Sequence, residues 1–91
     1  MSVQVNFYGP LEKWAGKRSF FGKGSCVKEV LNSIDEQIGK SVLKHLLDDK
    51  GRMKAQFHVL LNGVDIESLD GLASTVEDGD IITCVPPIGG G

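Results

Sequence analysis

Apolar and polar positions alternate at the start of the chain. Val3, Val5 and Phe7 are separated by Gln4 and Asn6, the period-two pattern of a half-buried strand over residues 3–8. Gly9-Pro10 breaks the pattern. Residues 17–21 (Lys-Arg-Ser-Phe-Phe) predict a return strand, punctuated by Gly16 and Gly22. The period then changes to that of a helix. Ser25 suits an N-cap for a helix starting at Cys26, Val27, Val30, Leu31, Ile34 and Ile38 form one apolar face, and Gly39 is placed to stop it. Residues 41–48 give a shorter amphipathic piece through Val42, Leu43, Leu46 and Leu47, followed by a polar loop from Asp48 to Lys54.

Alternation returns over residues 56–61, where Phe57, Val59 and Leu61 share one face. Asn62-Gly63 is a tight-turn signal, and Val64-Asp65-Ile66 predicts a short strand after it. Leu69 and Leu72 are expected as core anchors in an irregular segment. Asp78-Gly79-Asp80 predicts a turn, and Ile81 to Val85 a last strand. Pro86-Pro87 ends that strand because proline has no N–H to offer a ladder. The order β-β-α-(α)-β-β-β predicts an α+β domain, a mixed sheet with one main helix packed on one face. Parallel pairing of the first and last strands at the sheet centre would make it a ubiquitin-like β-grasp. The domain is expected over residues 1–87, with residues 88–91 as a flexible di-glycine tail.

Composition narrows the function classes. Ninety-one residues amount to one modest core. The formal net charge is −2 and the basic residues are scattered, which argues against nucleic acid as a partner. No apolar run approaches a membrane span and no N-terminal stretch resembles a signal peptide, so a cytoplasmic protein is expected. Cys26 and Cys84, the two cysteines, are too few for an iron–sulfur cluster or a cysteine-rich zinc site and are expected as free thiols. Cys26 at a helix start would suit a persulfide site, but a small half-buried residue is the expected role. Cys84 reads as a small hydrophobe, His45 and His58 lack a second ligand at metal spacing, and no Ser/His/Asp set or phosphate loop is visible. Trp14 is expected to pack in the first loop. Asp48-Asp49 and the Asp78/Asp80 pair read as solvated turns.

The chain closes on Pro86-Pro87-Ile88-Gly89-Gly90-Gly91. Glycine contributes nothing to a core and loses the most entropy on ordering, but it leaves a carbonyl unhindered and lets backbone enter a narrow cleft. Pro86-Pro87 stiffens the exit. The end is therefore read as a reactive handle with Gly91 as its chemical group. A free carboxylate is ionised at neutral pH and is a poor acyl donor until adenylation activates it. The adenylate can then pass to sulfide, giving a thiocarboxylate, or to an amine, giving an amide. The nucleotide site and base belong to a partner, so the chain itself is read as a protein co-substrate and not an enzyme, with no cofactor bound. On the third strand His58 and Leu60 are expected to face away from the helix. With Val85, Pro86, Pro87 and Ile88 they form a candidate partner-binding patch.

Asn62-Gly63, Val76-Glu77-Asp78-Gly79-Asp80-Ile81 and the Pro-Pro-Ile-Gly-Gly-Gly end together resemble the MoaD/ThiS family of sulfur carriers, which includes the molybdopterin synthase small subunit. Val5-Asn6-Phe7-Tyr8, Leu11-Glu12 and Ala15-Gly16 are similar to that family's opening strand and loop. The resemblance implies a β-grasp fold, adenylation of Gly91 by an E1-like enzyme using ATP, and thiocarboxylation at Gly91, with Gly90 and Gly89 needed for activation. The Pro-Pro tail favours the branch in which the large subunit of molybdopterin synthase accepts the sulfur. Gly71-Leu72-Ala73-Ser74-Thr75 and the loop at 48–55 are also similar to a carrier feeding a cysteine synthase. Thiamine-pathway carriers rank third, and a ubiquitin-like modifier that forms isopeptide bonds shares the same activation. A plain β-grasp interaction module, for which trimming Gly90-Gly91 would change nothing, is the remaining alternative.

Overall fold

The structure, a computed structural model, describes residues 2–54 and 56–86. The strands are β1 (Ser2–Phe7), β2 (Ser19–Lys23), β3 (His58–Leu61), β4 (Val64–Asp65) and β5 (Ile81–Val85). The helices are α1 (Pro10–Ala15), α2 (Val27–Ile38) and α3 (Val42–Leu46), and two 3-10 turns cover Ile66–Ser68 and Gly71–Ala73. The five strands form one sheet in the order β2-β1-β5-β3-β4. β1 and β5 run parallel at its centre, with Val5 opposite Ile82, and the other pairs are antiparallel. This is the ubiquitin-like β-grasp arrangement that the family resemblance implied, with the parallel pairing that alternation at the two ends of the chain left open.

One face of the sheet carries the core. Val3, Val5 and Phe7 of β1, Val59 and Leu61 of β3, and Ile82 and Cys84 of β5 are buried beneath Val27, Val30, Leu31 and Ile34 of α2. Each such aliphatic side chain contributes about 1.5–3 kcal/mol when removed from water, so this seam holds most of the fold. Gly39 closes α2 in the left-handed conformation, its N–H donating to Asp35 O at 2.9 Å. The Asp35 carboxylate in turn accepts from Val42 N at 2.7 Å and Ser41 Oγ at 3.3 Å, which sets the corner into α3.

Several expectations are corrected. The first loop is a helix: Pro10 opens α1, where a missing N–H costs nothing, and Gly16 closes it. Trp14 does pack against the core, but from α1, with its ring 4.3 Å from that of His45. The return strand spans 19–23, not 17–21. Gly22 is thus inside β2 and does not punctuate it. A Cβ there would lie 2.7 Å from Ser33 Oγ and 2.9 Å from Val30 Cγ1, so glycine lets α2 approach the sheet. The N-cap of α2 is Cys26, one residue later than Ser25. Ser25 instead donates through N and Oγ to Glu29 Oε1, both at 2.8 Å. These bonds hold the Glu29 carboxyl below its usual range.

The third strand begins at His58, two residues later than expected, because Phe57 N–H closes a turn onto Lys54 O. Ile66 leaves the short fourth strand for a 3-10 turn, where it is fully buried. Leu72 packs against the core, but Leu69 is 46% exposed and anchors nothing. The acidic turns are structural as well as solvated. Asp78 Oδ1 accepts from Ser2 N at 2.7 Å and Asp80 O from Gln4 N at 3.1 Å, so this turn pins the start of β1 beside the start of β5. Asp48 Oδ1 accepts from Lys50 N and Arg52 N at 2.8 and 2.9 Å, folding the 48–54 loop around one carboxylate. Its pKa falls, the Arg52 amide being the largest cause and the Lys50 amide the next.

Candidate functional site

Two elements decide where the tail leaves the globule. β5 is flanked on both sides, by β1 and β3, so its direction is fixed by two ladders. Tyr8 N–H donates to Cys84 O at 3.1 Å and continues the β1 side past the last paired residue. On the other side Val85 stands opposite His58. Pro86 then follows, half-buried and seated against Gly9. Gly9 has φ 63° and ψ −136°, and a Cβ on it would lie 3.0 Å from Pro86 Cγ. Gly9 is therefore part of the exit, a role missed in the sequence, where Gly9-Pro10 signals only a break. Its position after the first strand was the one available clue, because strands paired in parallel end at the same edge of a sheet.

The structure brings together four of the residues expected in the docking patch: His58, Leu60, Val85 and Pro86. His58 and Leu60 lie on the sheet face opposite α2, beside Val85 and Thr83 across the β3–β5 ladder. Leu60 is half-buried and not fully exposed, since Thr83 and Asp65 stand on either side of it. The face is more apolar at its far end, where Phe21 (62% exposed) and Ile81 (40% exposed) both stand opposite Gln4. Pro87, Ile88, Gly89, Gly90 and Gly91 lie outside the described residues.

His58 is more than a strand residue. Its Nδ1 is 3.1 Å from Asp65 Oδ2, and both side chains are partly exposed. Asp65 Oδ1 also accepts from Glu67 N at 2.9 Å. The Glu67 amide first, and His58 second, hold the Asp65 carboxyl below its usual range. The cysteines separate. Cys84 is fully buried on β5 and its thiol is pushed up to about 12 by desolvation, which makes it an inert core side chain. Cys26 is half-buried at the start of α2. Among the described residues, no three His, Cys, Asp or Glu side chains gather as a metal site, and no helix is long and apolar enough to cross a membrane.

The sequence profile of the ThiS family matches residues 5–91. The chain is similar to small archaeal modifier protein 3 of Haloferax volcanii, 29% identical over the whole length of both. It is also similar to the solution structure of small archaeal modifier protein 1 from Methanosarcina acetivorans, with a TM-score of 0.78 and 29% identity over 99% of this chain and 96% of that one. A chain of the BexX/CysO complex of Amycolatopsis orientalis superposes with a TM-score of 0.81 and 27% identity over 98% of this chain and 99% of that one. The chain belongs to the ThiS family, small ubiquitin-like proteins that act as carriers or modifiers and not as catalysts.

Proposed function

We propose that this protein is a sulfur carrier that works through the carboxylate of Gly91. An oxygen of that carboxylate attacks the α-phosphorus of ATP held by an E1-like enzyme. Pyrophosphate leaves and an acyl adenylate forms. Sulfide then adds to the Gly91 carbonyl carbon and AMP departs, leaving a thiocarboxylate. The partner supplies the nucleotide site and the base, and the carrier supplies the acyl group and a surface to be recognised. The observation that supports this most is the placement of β5. The strand that leads into Pro86-Pro87-Ile88-Gly89-Gly90-Gly91 is the central one of the five, paired along both edges, so the handle starts from the middle of the sheet. The domain over 1–87 then serves as the handle's grip, and residues 88–91 as the segment that enters the partner.

The sulfur passes to a biosynthetic acceptor. The Pro-Pro tail favours the large subunit of molybdopterin synthase, with cysteine or thiamine assembly as the alternatives. His58, Leu60, Val85 and Pro86, extended by Pro87 and Ile88, form the surface against which such partners rest. Exposed Phe21 and Ile81 on the same sheet face add apolar surface to that of Leu60 and Val85, and a shared apolar face of this kind suits a contact site. A second reading, a modifier that passes Gly91 to a lysine amine as an isopeptide, is favoured by the archaeal modifier proteins among the relatives.

Intact mass separates these. Incubation with an E1-like enzyme, ATP and sulfide is expected to replace one oxygen by sulfur in the full chain and leave a Gly91-deleted chain unchanged. Lysine-linked adducts without the sulfur shift would favour the modifier. Neither product, with an enzyme that activates another ThiS-family carrier, would refute both.

A further inference from the structure

β2 is the outermost strand on one side of the sheet, so one of its edges has no strand beside it. The ladder fixes which groups lie on that edge. Phe7 N–H donates to Arg18 O at 2.8 Å, whereas Gln4 N–H and Tyr8 N–H donate to Asp80 O and Cys84 O on the β5 side. Alternation therefore turns the peptide groups of Phe20 and Gly22 towards β1, and those of Ser19, Phe21 and Lys23 outward. A row of open donors and acceptors of this kind is a template for another strand. Here α2 closes it. Gln37 Nε2 donates to Phe21 O at 2.6 Å, and Lys23 N–H donates to Ser33 Oγ at 2.9 Å. The Ser33 hydroxyl is held in turn, donating to Val30 O at 2.9 Å. Two glycines let the helix come this close: Gly22 admits Ser33 and Val30, and a Cβ on Gly24 would lie 2.6 Å from Glu29 Cβ.

We propose that β2 is a latent self-pairing edge, and that Ser33 and Gln37 keep it closed to the β2 strand of a second copy of this chain. The edge is self-complementary. Phe21 is the middle residue of a five-residue strand. In an antiparallel pair of two β2 strands centred on it, Phe21 exchanges both backbone bonds with its copy and Ser19 faces Lys23 at either end, so no like charges stand opposite each other. Phe21 is 62% exposed, and in that register its ring meets the ring of the copy, a cross-strand aromatic contact of about 0.2–1 kcal/mol. Such a pair requires the Phe21 carbonyl and the Lys23 amide, and those are the groups that α2 occupies. Gln37 Nε2 takes the place of the neighbouring strand's N–H. Self-pairing would cover Phe21 with its copy, so the closed edge leaves the sheet face around Phe21 and Ile81 free for other contacts.

Sedimentation equilibrium of the full chain reads the self-association. The parent is expected to sediment as a monomer, and Ser33→Ala/Gln37→Ala to associate at least about tenfold more tightly. Glu36→Ala, exposed on the same helix, serves as control and should match the parent. Adding Phe21→Lys to the double variant sets two like charges opposite each other at the centre of the pair and should restore the monomer. Thermal midpoints establish that each variant is folded. Should the double variant unfold, Gln37→Ala alone, an exposed position, carries the same expectation. A folded variant that stays as monomeric as the parent would overturn the proposal. So would association that survives Phe21→Lys, since the contact would then lie on another surface, or a parent that already associates as tightly as the variant.

Discussion

Replacing Gly9 by alanine tests whether the exit of the tail is built by its neighbours. The backbone there, φ 63° and ψ −136°, is one that glycine adopts and residues with a Cβ avoid, at a cost of about 1–3 kcal/mol. The new methyl would also sit 3.0 Å from Pro86 Cγ, closer than ordinary contact, so the proline or the turn must move by a few tenths of an ångström. Opposing this, alanine restricts the unfolded chain and returns about 0.4–1 kcal/mol. The net expectation is a loss of roughly 1–2 kcal/mol, or a fall of about 5–15 °C in thermal midpoint for a domain of this size. Gly16→Ala is the internal comparison: φ is 96°, with no atom within 4 Å of the added carbon, so that variant carries backbone strain alone. Urea and thermal unfolding followed by the fluorescence of Trp14, the single tryptophan, gives both values. The Val85 amide in a ¹⁵N–¹H spectrum reports whether the exit has moved. A loss below about 0.5 kcal/mol for Gly9→Ala, with the Val85 resonance unshifted, would refute the idea that Gly9 seats Pro86; the expected loss lies well above that threshold.

Gly22→Ala should cost about 1–3 kcal/mol by overpacking, since the methyl collides with Val30 and displaces a Ser33 hydroxyl that bonds Lys23 N and Val30 O, each at 2.9 Å; equilibrium denaturation measures it. Iodoacetamide on the native protein should add one group, at Cys26, and a second at Cys84 only after unfolding, because burial leaves the Cys84 thiol protonated; two adducts on the native protein by mass spectrometry would contradict this. Asp65 has a lowered folded pKa, so its stabilising contribution is fully present above the ordinary carboxylate value of about 3.9 and is lost as pH falls through the lower folded value. Asp65→Asn should therefore remove part of the acid-side loss of stability below about pH 4, and identical slopes for the two proteins in that window would argue against the assignment. Leu60→Lys, a half-buried position on the sheet face away from α2, should weaken partner binding while the domain stays folded, and unchanged affinity would count against the patch.

What the sequence alone determined is local. The alternations at 3–8 and 81–85, the apolar face from Val27 to Ile38, the stop at Gly39 and the Asn62-Gly63 turn are written in periodicity or in residues with special backbone freedom, and each became the expected element. The α+β class followed from the order of these elements, whereas the parallel pairing of β1 with β5 that makes it a β-grasp came only with the resemblance to the family and with the structure. The tail could be singled out as a candidate handle because Gly89-Gly90-Gly91 needs no neighbour to be noticed. Tertiary structure decided what depends on partners distant along the chain. A six-residue helix such as α1 is too short to display a period, so its existence rests on caps and on Leu11 and Trp14 reaching the core. Gly22 looked like punctuation because nothing local reveals that α2 crosses above it. Leu69 looked like core because hydrophobicity does not specify direction in an irregular segment. Asp78 and Asp80 join β1 to β5 across most of the chain. Contacts of that kind leave no periodic trace, since their free energy is realised only when the chain has closed around them.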